Sequence, residues 1–328
     1  MEDLRIAIVG CGLIGNKRAN SLSGRASVSV CCDVNLSRAE ALAKACGGGD
    51  VSTDWSSVVS RSDVDAVFVC TTHNLLAPIA AAAASHGKHV LIEKPGACHA
   101  DELDPVDLAA RATGALVRVG FNHRYHRAFQ KAREIFESGV LSDLFFIRAR
   151  YGHGGRLGYD REWRAIPELS GGGEAVDQGM HLLDLARWFL GDLKFVGGSA
   201  PTYFWDMPVE DNAFFLLETE SRQVAFLHAS WTEWKNLFSF EICGRTGKLE
   251  ITGLGGSYGT ERLSYYQMLP ELGPPPTAIY EYPMSDNSWQ VEVAEFLDDI
   301  RLGRQPQPGL IDAQASLRLV DRLYRSGT

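Results

Sequence analysis

Short apolar runs alternate with helical patterns along residues 4 to 120. Several of these runs are continuous and rich in β-branched residues, which is typical of buried parallel strands. The runs predicted as strands are LRIAIVG, SVSVCCD, AVFVCTT, KHVLIEK and ALVRVGF. The segments predicted as helices between them are NKRANSLSG, LSRAEALAKAC, LLAPIAAAAASHG and DPVDLAARATG. This alternation predicts a doubly wound parallel sheet of the Rossmann type over residues 1–121.

After residue 122 the pattern changes to strands in which apolar and polar positions alternate. The clearest are SDLFFIRARYG, DNAFFLLETE, QVAFLHASWTEW, LFSFEICG and GKLEITG. Such alternation predicts a mostly antiparallel sheet. One helix is predicted near residues 174 to 190, a loop or an edge connection at ELGPPPT (271–277), and closing helices from about Ser288 to Leu302 and from about Asp312 to Arg325. The predicted fold class is α/β, with domains at 1–121 and 122–328 and a last helix that is a candidate to pack back on the first domain.

Composition and charge exclude several classes of function. Of 328 residues, 45% are hydrophobic and 22% charged, as in ordinary soluble globular proteins. A net charge of −9 argues against nucleic-acid or anionic-membrane partners. No apolar stretch approaches the ~20 residues that span a bilayer, and MEDLRIAIVGCG does not have the pattern of a signal peptide. The seven cysteines form no CxxC pair, so reduced thiols in the cytoplasm are expected.

The stretch IVGCGLIGNK places Gly10, Gly12 and Gly15 in the GxGxxG spacing, between a predicted strand and a predicted helix. The first glycine of this motif permits a tight turn, the second lets the backbone approach a pyrophosphate, and the third allows close helix packing. Asp33 lies at the tip of the second predicted strand, 18 residues past Gly15, near the distance expected for a ribose contact. A carboxylate there favours NAD over NADP, because it repels a 2′-phosphate. Arg38, five residues on, would favour NADP but is expected on a solvated helix face.

A second candidate cluster combines Lys94, in LIEKPGACH, with the segment SGGGEAVDQGMHLLDLARWFLGD (170–192). Asp177, His181 and Asp184 recur there at i, i+4 and i+7, which predicts one shared helix face. The residues alone leave three interpretations open. Asp184 pairs locally and His181 is a satisfied core histidine; or Asp-x3-His binds a metal, although no further ligand is evident; or His181 is a general acid/base, with Asp177 and Lys94 as its neighbours.

Four segments together resemble the Gfo/Idh/MocA family of NAD(P)-dependent oxidoreductases. They are IVGCGLIG, HGKHVLIEKP, SGGGEAVDQGMHLLDL and GRQPQPGLIDAQASLRLVDRLYRS, spread over nearly the whole chain in family order. The resemblance implies a Rossmann domain followed by a substrate-binding α/β domain with a large, open, mostly antiparallel sheet that often forms homodimer or homotetramer contacts. It also implies that Lys94, Asp177 and His181 are catalytic and line the nicotinamide and the substrate carbinol. No metal is implied.

One part of the predicted cofactor pocket departs from the family pattern. Many relatives have T-P-N-x-x-H after the third Rossmann strand, whereas TTHNLLAP has Leu76 at the histidine position and His73 in a shifted register. His73 is expected at the surface or as a hydrogen-bonding loop residue. The predicted cofactor contacts are Gly10, Gly12, Leu13, Ile14, Gly15, Asp33, Arg38, Thr71, Thr72, Asn74, Glu93 and Lys94.

The glycine-rich loop YGHGGRLGYDREWRAIPELSGGG (151–173) combines arginines with aromatic residues. Arginines beside aromatic rings suit a carboxylate or phosphate and a flat sugar or base, although a solvated loop packed by Trp163 has the same composition. FNHRYHR, where the chain leaves the Rossmann domain, is a second place from which side chains can reach a cleft. The predicted substrate contacts are Lys94, Asn122, Arg124, Tyr125, Arg156, Tyr159, Trp163, Arg164, Asp177 and His181.

The leading functional hypothesis is an NAD-dependent oxidoreductase that transfers a hydride between nicotinamide and a secondary alcohol or ketone. The favoured substrate is sugar-like: a sugar, a sugar phosphate, a nucleotide sugar or an inositol. Two alternatives share the same fold. One is a glycosidase or lyase that uses NAD for transient oxidation, and the other is a non-catalytic NAD sensor.

Overall fold

The computed structural model describes residues 4–326, which divide into two compact units. The described part of the first unit covers residues 4–121, 168–171 and 289–314. That of the second covers 122–167, 172–288 and 315–326. Within residues 4–326, every helix is too short or too polar to span a bilayer.

The first unit is built on a six-stranded sheet in which all neighbouring strands are parallel. Its strands are β1 (Arg5–Val9), β2 (Ser27–Cys32), β3 (Asp50–Ser52), β4 (Ala66–Val69), β5 (His89–Glu93) and β6 (Val117–Gly120). Their order is β3-β2-β1-β4-β5-β6, so the order reverses between β1 and β4. In such sheets a ligand binds beyond the carboxyl ends of the strands at this switch point. The predicted doubly wound parallel sheet is confirmed.

The sheet is buried on both faces, as its continuous apolar strands predict. The helices between its strands are α1 (Leu13–Ser21), α2 (Leu36–Ala45), α3 (Trp55–Val59), α4 (His73–Ser85) and α5 (Asp104–Thr113). Ile6, Ile8 and Phe68 are fully buried in a core cluster that also includes Val293 and Phe296 near the end of the chain. The late helix that carries Phe296 is therefore part of the Rossmann unit's core.

The second unit is built on an eight-stranded sheet that is antiparallel except for one central pair. Its strands are β7 (Leu144–Gly152), β8 (Lys194–Ser199), β9 (Asn212–Glu218), β10 (Val224–Ser230), β11 (Leu237–Gly244), β12 (Gly247–Thr252), β13 (Glu261–Gln267) and β14 (Thr277–Tyr282). Their order is β14-β13-β12-β11-β7-β10-β9-β8, and only β7 and β10 are parallel. The predicted mostly antiparallel sheet is confirmed.

The remaining helices are α6 (Arg127–Glu137), α7 (Pro167–Ser170), α8 (Gly179–Leu190), α9 (Ser288–Leu302) and α10 (Leu310–Ser326). Helices α6 and α8 pack against the eight-stranded sheet. Along β10, Ala225, Leu227 and Ala229 are fully buried, whereas Phe226 between them is 46% exposed. One face of this sheet is therefore covered and the other is open, as the period-2 pattern predicts.

The predictions for individual elements were partly wrong. The closing helices are confirmed, with the last helix starting slightly earlier than predicted, at Leu310. The loop is confirmed over residues 271–276, whereas Thr277 already belongs to β14. The helix predicted near 174 to 190 begins only at Gly179, because residues 174–178 form a turn. Helices α3 and α6 and strands β3, β8, β13 and β14 were not predicted.

Candidate active site

The glycine turn joins β1 to α1 in the first unit, and its three glycines meet different surroundings. Gly10 has a φ of +94°, so it adopts a conformation that favours glycine. A Cβ at Gly15 would lie 2.0 Å from the backbone oxygen of Gly10. A Cβ at Gly12 would meet no heavy atom within 4 Å. Packing therefore accounts for Gly10 and Gly15, whereas Gly12 leaves open the space that a pyrophosphate needs.

Asp33 is tied directly to this turn. One carboxylate oxygen, Oδ2, accepts from the N–H of Cys11 at 2.8 Å, and Oδ1 accepts from the N–H of Asn35 at 2.8 Å. Asp33 is buried at the carboxyl end of β2, the place where Rossmann domains hold the ribose of the cofactor. Arg38 is exposed on α2. Next to the turn, Leu13 is exposed and Ile14 is partly buried at the start of α1.

The segment between β4 and α4 carries several predicted cofactor contacts. Thr71 and Thr72 are partly buried there, and the hydroxyl of Thr72 donates to Oδ1 of Asn74 at 2.8 Å. The expectation that His73 lies at the surface or in a loop is wrong, because His73 is the first residue of α4 and only 4% exposed. Its Nδ1 lies 2.8 Å from the backbone oxygen of Ser170, so the expected hydrogen bond is confirmed.

Strand β5 ends at Glu93, and Lys94 follows it, partly exposed. Oε1 of Glu93 accepts from Nε of Arg18 at 2.5 Å, and Nη1 of Arg18 donates to Glu292 at 2.5 Å. The side chains of Arg18 and Glu292 are fully buried. The carboxylate of Glu93 therefore belongs to a buried ionic network, and its predicted contact with the cofactor stays a prediction. Sequence interpretation missed Arg18, although it lies at i+3 from the buried Gly15 on the same helix face.

In the second unit, the predicted placement of Asp177 on a helix is wrong. Asp177 lies in the turn before α8, where its N–H donates to the backbone oxygen of Gly173 at 3.1 Å. Its Oδ2 accepts from Nε of Arg164 at 2.9 Å. Arg164, predicted as a substrate contact, is thus an ion-pair partner of a predicted catalytic residue and extends over the ring of Trp163 at 4.5 Å.

His181 and Asp184 both lie on α8 and are buried. Asp184 forms a two-pronged ion pair with Arg124, with N–O distances of 2.8 and 2.6 Å. Asp184 is therefore paired, but with a residue that is distant in sequence, whereas a local partner was one of the expectations. Arg124 was predicted to bind substrate; its guanidinium is buried in this pair with Asp184, and its contact with a substrate stays a prediction. A buried Arg–carboxylate pair is strongly destabilised when one partner is lost.

The imidazole of His181 stacks on that of His123, with ring centroids 3.6 Å apart and planes inclined by 17°. Tyr151 lies beside them, 5.3 Å from His123, and in turn contacts Tyr258 at 5.1 Å. Burial raises the pKa of Tyr151 well above its usual value and raises that of Tyr258 to about 12. Both phenols are therefore protonated at neutral pH, and that of Tyr151 is a neutral hydrogen-bond donor beside the two histidines.

The other predicted substrate contacts have mixed surroundings. Tyr159 is buried in a cluster with Ala165, Met207, Val209 and Trp231, so it packs the base of its loop. Arg156 is exposed and pairs with Glu162 at 2.6 Å. Asn122 and Tyr125 are buried in the turn before α6, and Nδ2 of Asn122 donates to Oγ of Ser288 at 2.9 Å. The arginine-rich loop is thus held by ion pairs and aromatic packing.

Sequence interpretation also missed Glu210. This buried carboxylate accepts from the N–H groups of Gly173 and Ala175 at 3.0 Å each and from the hydroxyl of Tyr324 at 2.7 Å. Burial raises the pKa of Glu210 above its usual range. These bonds hold the glycine-rich turn that leads to Asp177. Glu210 lies far from the turn in sequence, so no local pattern could reveal it.

Metal and disulfide chemistry have little support in the described part of the chain. Across residues 4–326, no group of three or more His, Cys, Asp and Glu side chains is arranged to hold a metal ion. The seven cysteines are all free thiols.

Comparisons with known proteins add to this geometry. Residues 4–121 match the sequence model described as "Oxidoreductase family, NAD-binding Rossmann fold", and residues 129–250 match the "GFO/IDH/MocA C-terminal domain". The chain is 26% identical over 233 residues to levoglucosan dehydrogenase of Pseudarthrobacter phenanthrenivorans, covering 67% of this chain and 59% of that protein. It is 28% identical over 265 residues to D-glucoside 3-dehydrogenase of Escherichia coli, covering 74% and 75%. It is 25% identical to scyllo-inositol 2-dehydrogenase (NAD(+)) of Bacillus subtilis, covering 97% and 92%.

Solved structures share the fold over almost the whole chain. An oxidoreductase domain protein from Kribbella flavida has a TM-score of 0.88 at 24% identity, covering 99% of this chain and 97% of that one. Levoglucosan dehydrogenase in complex with NADH and levoglucosan has a TM-score of 0.89 at 20% identity, with the same coverage. With both of its domains matched, the chain belongs to the Gfo/Idh/MocA family of oxidoreductases, and residues 4–121 are its NAD-binding Rossmann domain.

Proposed function

We propose that this protein is an NAD-dependent dehydrogenase that transfers a hydride between nicotinamide and the carbinol carbon of a cyclic, sugar-like polyol. The observation that carries the proposal is that one chain holds residues for both tasks, cofactor binding in one unit and proton transfer in the other. The first unit has an open glycine turn tied to Asp33. The second has the buried His181 and, just before its helix, Asp177.

The residues of the first unit that would hold NAD are those of the glycine turn, Asp33, and Thr71, Thr72 and Asn74 after β4. Backbone N–H groups at the start of α1 suit a pyrophosphate, and the Asp33 carboxylate suits a ribose diol and repels a 2′-phosphate. Bound NAD supplies the hydride acceptor, which no side chain provides.

In the oxidation direction, we assign proton transfer to His181, which takes the hydroxyl proton of the substrate. Lys94 polarises and orients the same oxygen. Asp177 positions the substrate or the imidazole, and its own carboxylate is held by the hydrogen bond from Arg164. In reduction the same groups return the proton.

The substrate class is proposed from the relatives together with the chemistry of the chain. Levoglucosan, D-glucosides and scyllo-inositol, which the names of the relatives state, are cyclic molecules with secondary alcohols. Asn122, Tyr125, Arg156, Trp163 and Arg164 supply the amide, phenol, indole and guanidinium groups that recognise such hydroxyls. We propose that residues 122–328 provide the substrate-binding and oligomerisation domain.

We further propose that the protein works in the cytoplasm as a homodimer or homotetramer. Seven free thiols suit a reducing compartment. The open face of the eight-stranded sheet carries exposed apolar side chains, among them Phe226 and Leu216, which suit burial against a second copy.

The test is a screen in which NADH formation is followed with sugars, sugar phosphates, nucleotide sugars and inositols. Wild-type protein is expected to reduce NAD with at least one cyclic polyol. His181→Ala and Lys94→Ala should each lower turnover by at least ~100-fold while NAD binding persists. Near-wild-type turnover in either variant contradicts the assigned roles. Substrate cleavage without net NADH identifies the transient-oxidation alternative, and tight NAD binding without any turnover identifies a sensor.

A further inference from the structure

We propose that His123 is a positioning residue that holds the imidazole of His181 in the orientation required for proton transfer. This inference rests on the proposed function, in which His181 exchanges the substrate proton. The stack of the two rings, 3.6 Å between centroids and 17° between planes, is the closest ring contact that the structure describes for His181.

The position of His123 is fixed from several sides. Its Nδ1 lies 3.2 Å from Oδ1 of Asn122, whose Nδ2 donates to Ser288. The ring of His126 meets that of His123 edge-on at 5.4 Å, and Nδ1 of His126 lies 3.0 Å from a carboxylate oxygen of Glu261. These contacts come from the turn at 122–125, from α9 and from β13, so one face of the His181 ring rests on a rigid support.

The protonation of His123 follows from the same contacts. Because Asn122 donates its N–H to Ser288, it presents its oxygen to His123, and Nδ1 of His123 is then the hydrogen-bond donor. His123 thus has an anchored tautomer, with Nδ1 as the hydrogen-bond donor.

His181 needs such a support because of where it lies on α8. It occupies the first turn of the helix, and its backbone N–H donates to Gln178 at 3.1 Å. The backbone sets the direction of Cβ, but rotation of an imidazole about χ2 is soft. A planar ring against one face restricts that rotation. Misplacement of a reacting group by about 1 Å can lower a rate by ~100-fold.

The experiment compares His123→Phe, which retains a flat ring, with His123→Leu, which is apolar but not flat. We expect His123→Leu to lower kcat by about 10- to 100-fold, with little change in KM for the polyol or in Kd for NAD. His123→Phe should recover most of the lost kcat. If His123 had a purely structural role, both variants would lose stability, and kcat would not fall selectively while KM stayed unchanged.

The matched control is Phe129→Leu. Phe129 is fully buried in the same unit and packs on Phe238 and Phe240, and no ring contact joins it to His181 among the described residues. This variant is expected to lose stability while keeping kcat. If His123→Leu does not fold, His123→Gln takes its place, because glutamine keeps a hydrogen-bonding group but lacks an aromatic ring.

Two results overturn the inference: wild-type kcat in His123→Leu, or a folded His123→Phe that is as impaired as His123→Leu. The activity of His181→Ala shows whether only the positioning role of His123 is wrong or the proton-transfer role of His181 is wrong as well. An inactive His181→Ala with a fully active His123→Leu rejects only the positioning role. An active His181→Ala rejects the proton-transfer role on which the inference depends.

Discussion

At the scale of single residues, the glycines of the turn between β1 and α1 meet two different requirements. One is close packing against neighbouring backbone, and the other is room for a cofactor. Gly15 is glycine because a Cβ would strike the backbone oxygen of Gly10 at 2.0 Å. Gly12 is surrounded by free space in the protein, so packing does not demand glycine there. We propose that the approach of a bound pyrophosphate supplies that demand. Substitution at the two positions should therefore affect different properties.

Gly12→Ala is expected to leave thermal stability near that of the wild type, because the added methyl group meets no protein atom. It should weaken NAD binding by at least ~10-fold, or about 1.4 kcal/mol, because the methyl group occupies the space of the pyrophosphate. Calorimetric titration with NAD and a thermal melt of the same sample measure the two properties. Wild-type affinity for NAD in this variant would mean that the turn does not hold the cofactor.

Gly15→Ala is the matched control. Its methyl group overlaps backbone that cannot rotate away, so it should lower the free energy of unfolding by about 1–3 kcal/mol. A stable Gly15→Ala protein would show that α1 can shift away from β1 at little cost.

How well the site could be predicted depends on how far apart its residues lie in sequence. Gly10, Gly12, Gly15 and Asp33 could be found because strand, turn and helix follow each other directly. The stack of His123 on His181 and the clamp of Glu210 on the turn before Asp177 are formed by tertiary packing, which no spacing rule encodes. The ion pair of Arg124 with Asp184 was not predicted for the same reason, since the two residues lie 60 positions apart.

At the scale of secondary structure, Arg18 joins three elements of the Rossmann unit. It extends from α1, pairs with Glu93 at the end of β5 and pairs with Glu292 on α9. Its guanidinium also lies over the ring of Trp289 at 4.5 Å. The strand that ends beside Lys94 is thus tied to the helix that starts at the glycine turn. Loss of Arg18 would leave two buried carboxylates without their cation.

Arg18→Met is therefore expected to destabilise the protein by about 3–5 kcal/mol, because it removes one partner of a buried ion pair. Glu292→Gln should cost far less, since the amide oxygen can still accept from Arg18 and one buried negative charge is removed. Chemical denaturation of both variants measures the difference. An Arg18→Met protein as stable as Glu292→Gln would contradict the account of this network.

The same pair gives a pH dependence of known sign. Burial raises the pKa of Glu292 above its ordinary value, so the folded protein binds that proton more tightly than the unfolded chain. The contribution of Glu292 to stability is therefore highest at low pH and falls as the pH rises from the ordinary glutamate pKa through the raised one. Glu292→Gln lacks this fall, so its stability relative to the wild type should increase with pH. Melting temperatures of both proteins across that range test the sign.

Physical reasons explain why some helices and strands could not be predicted from the sequence pattern. Strand β3 has only three residues, too few to show a period. Strand β14 has no buried residue, and its one large aliphatic side chain, Ile279, is exposed, so no buried face marks the strand. Helix α6 did carry a readable stripe, Ala128, Phe129, Ala132 and Ile135, but its many charged residues obscured it. Asp177 has helical spacing from His181, yet the bend after three glycines delays the start of α8.

At the scale of the whole molecule, the chain combines a parallel sheet buried on both faces with an antiparallel sheet that has one open face. Phe226 and Leu216 lie directly opposite each other on neighbouring strands of that open face. They are 46% and 39% exposed. Adjacent exposed apolar side chains are typical of surfaces that a protein partner covers. The proposed self-association is expected to use this face.

Phe226→Asp is expected to shift the protein to the mass of a single chain, because it puts a charge into the centre of the proposed contact. Light scattering coupled to gel filtration measures the mass directly. Leu157→Asp is the control, since Leu157 is a fully exposed apolar residue in a loop outside the sheet. An unchanged assembly in Phe226→Asp would show that the open face is not the contact between copies.

The central claim is that an NAD-dependent hydride transfer takes place on a cyclic polyol. The most direct test uses a polyol with deuterium on the carbon that is oxidised, and mass spectrometry of the dinucleotide after the reaction. The account predicts that the reduced cofactor gains the deuterium in wild-type protein and that His181→Ala forms almost none of this product. Reduced cofactor without deuterium, or substrate turnover with the dinucleotide left oxidised, would contradict it.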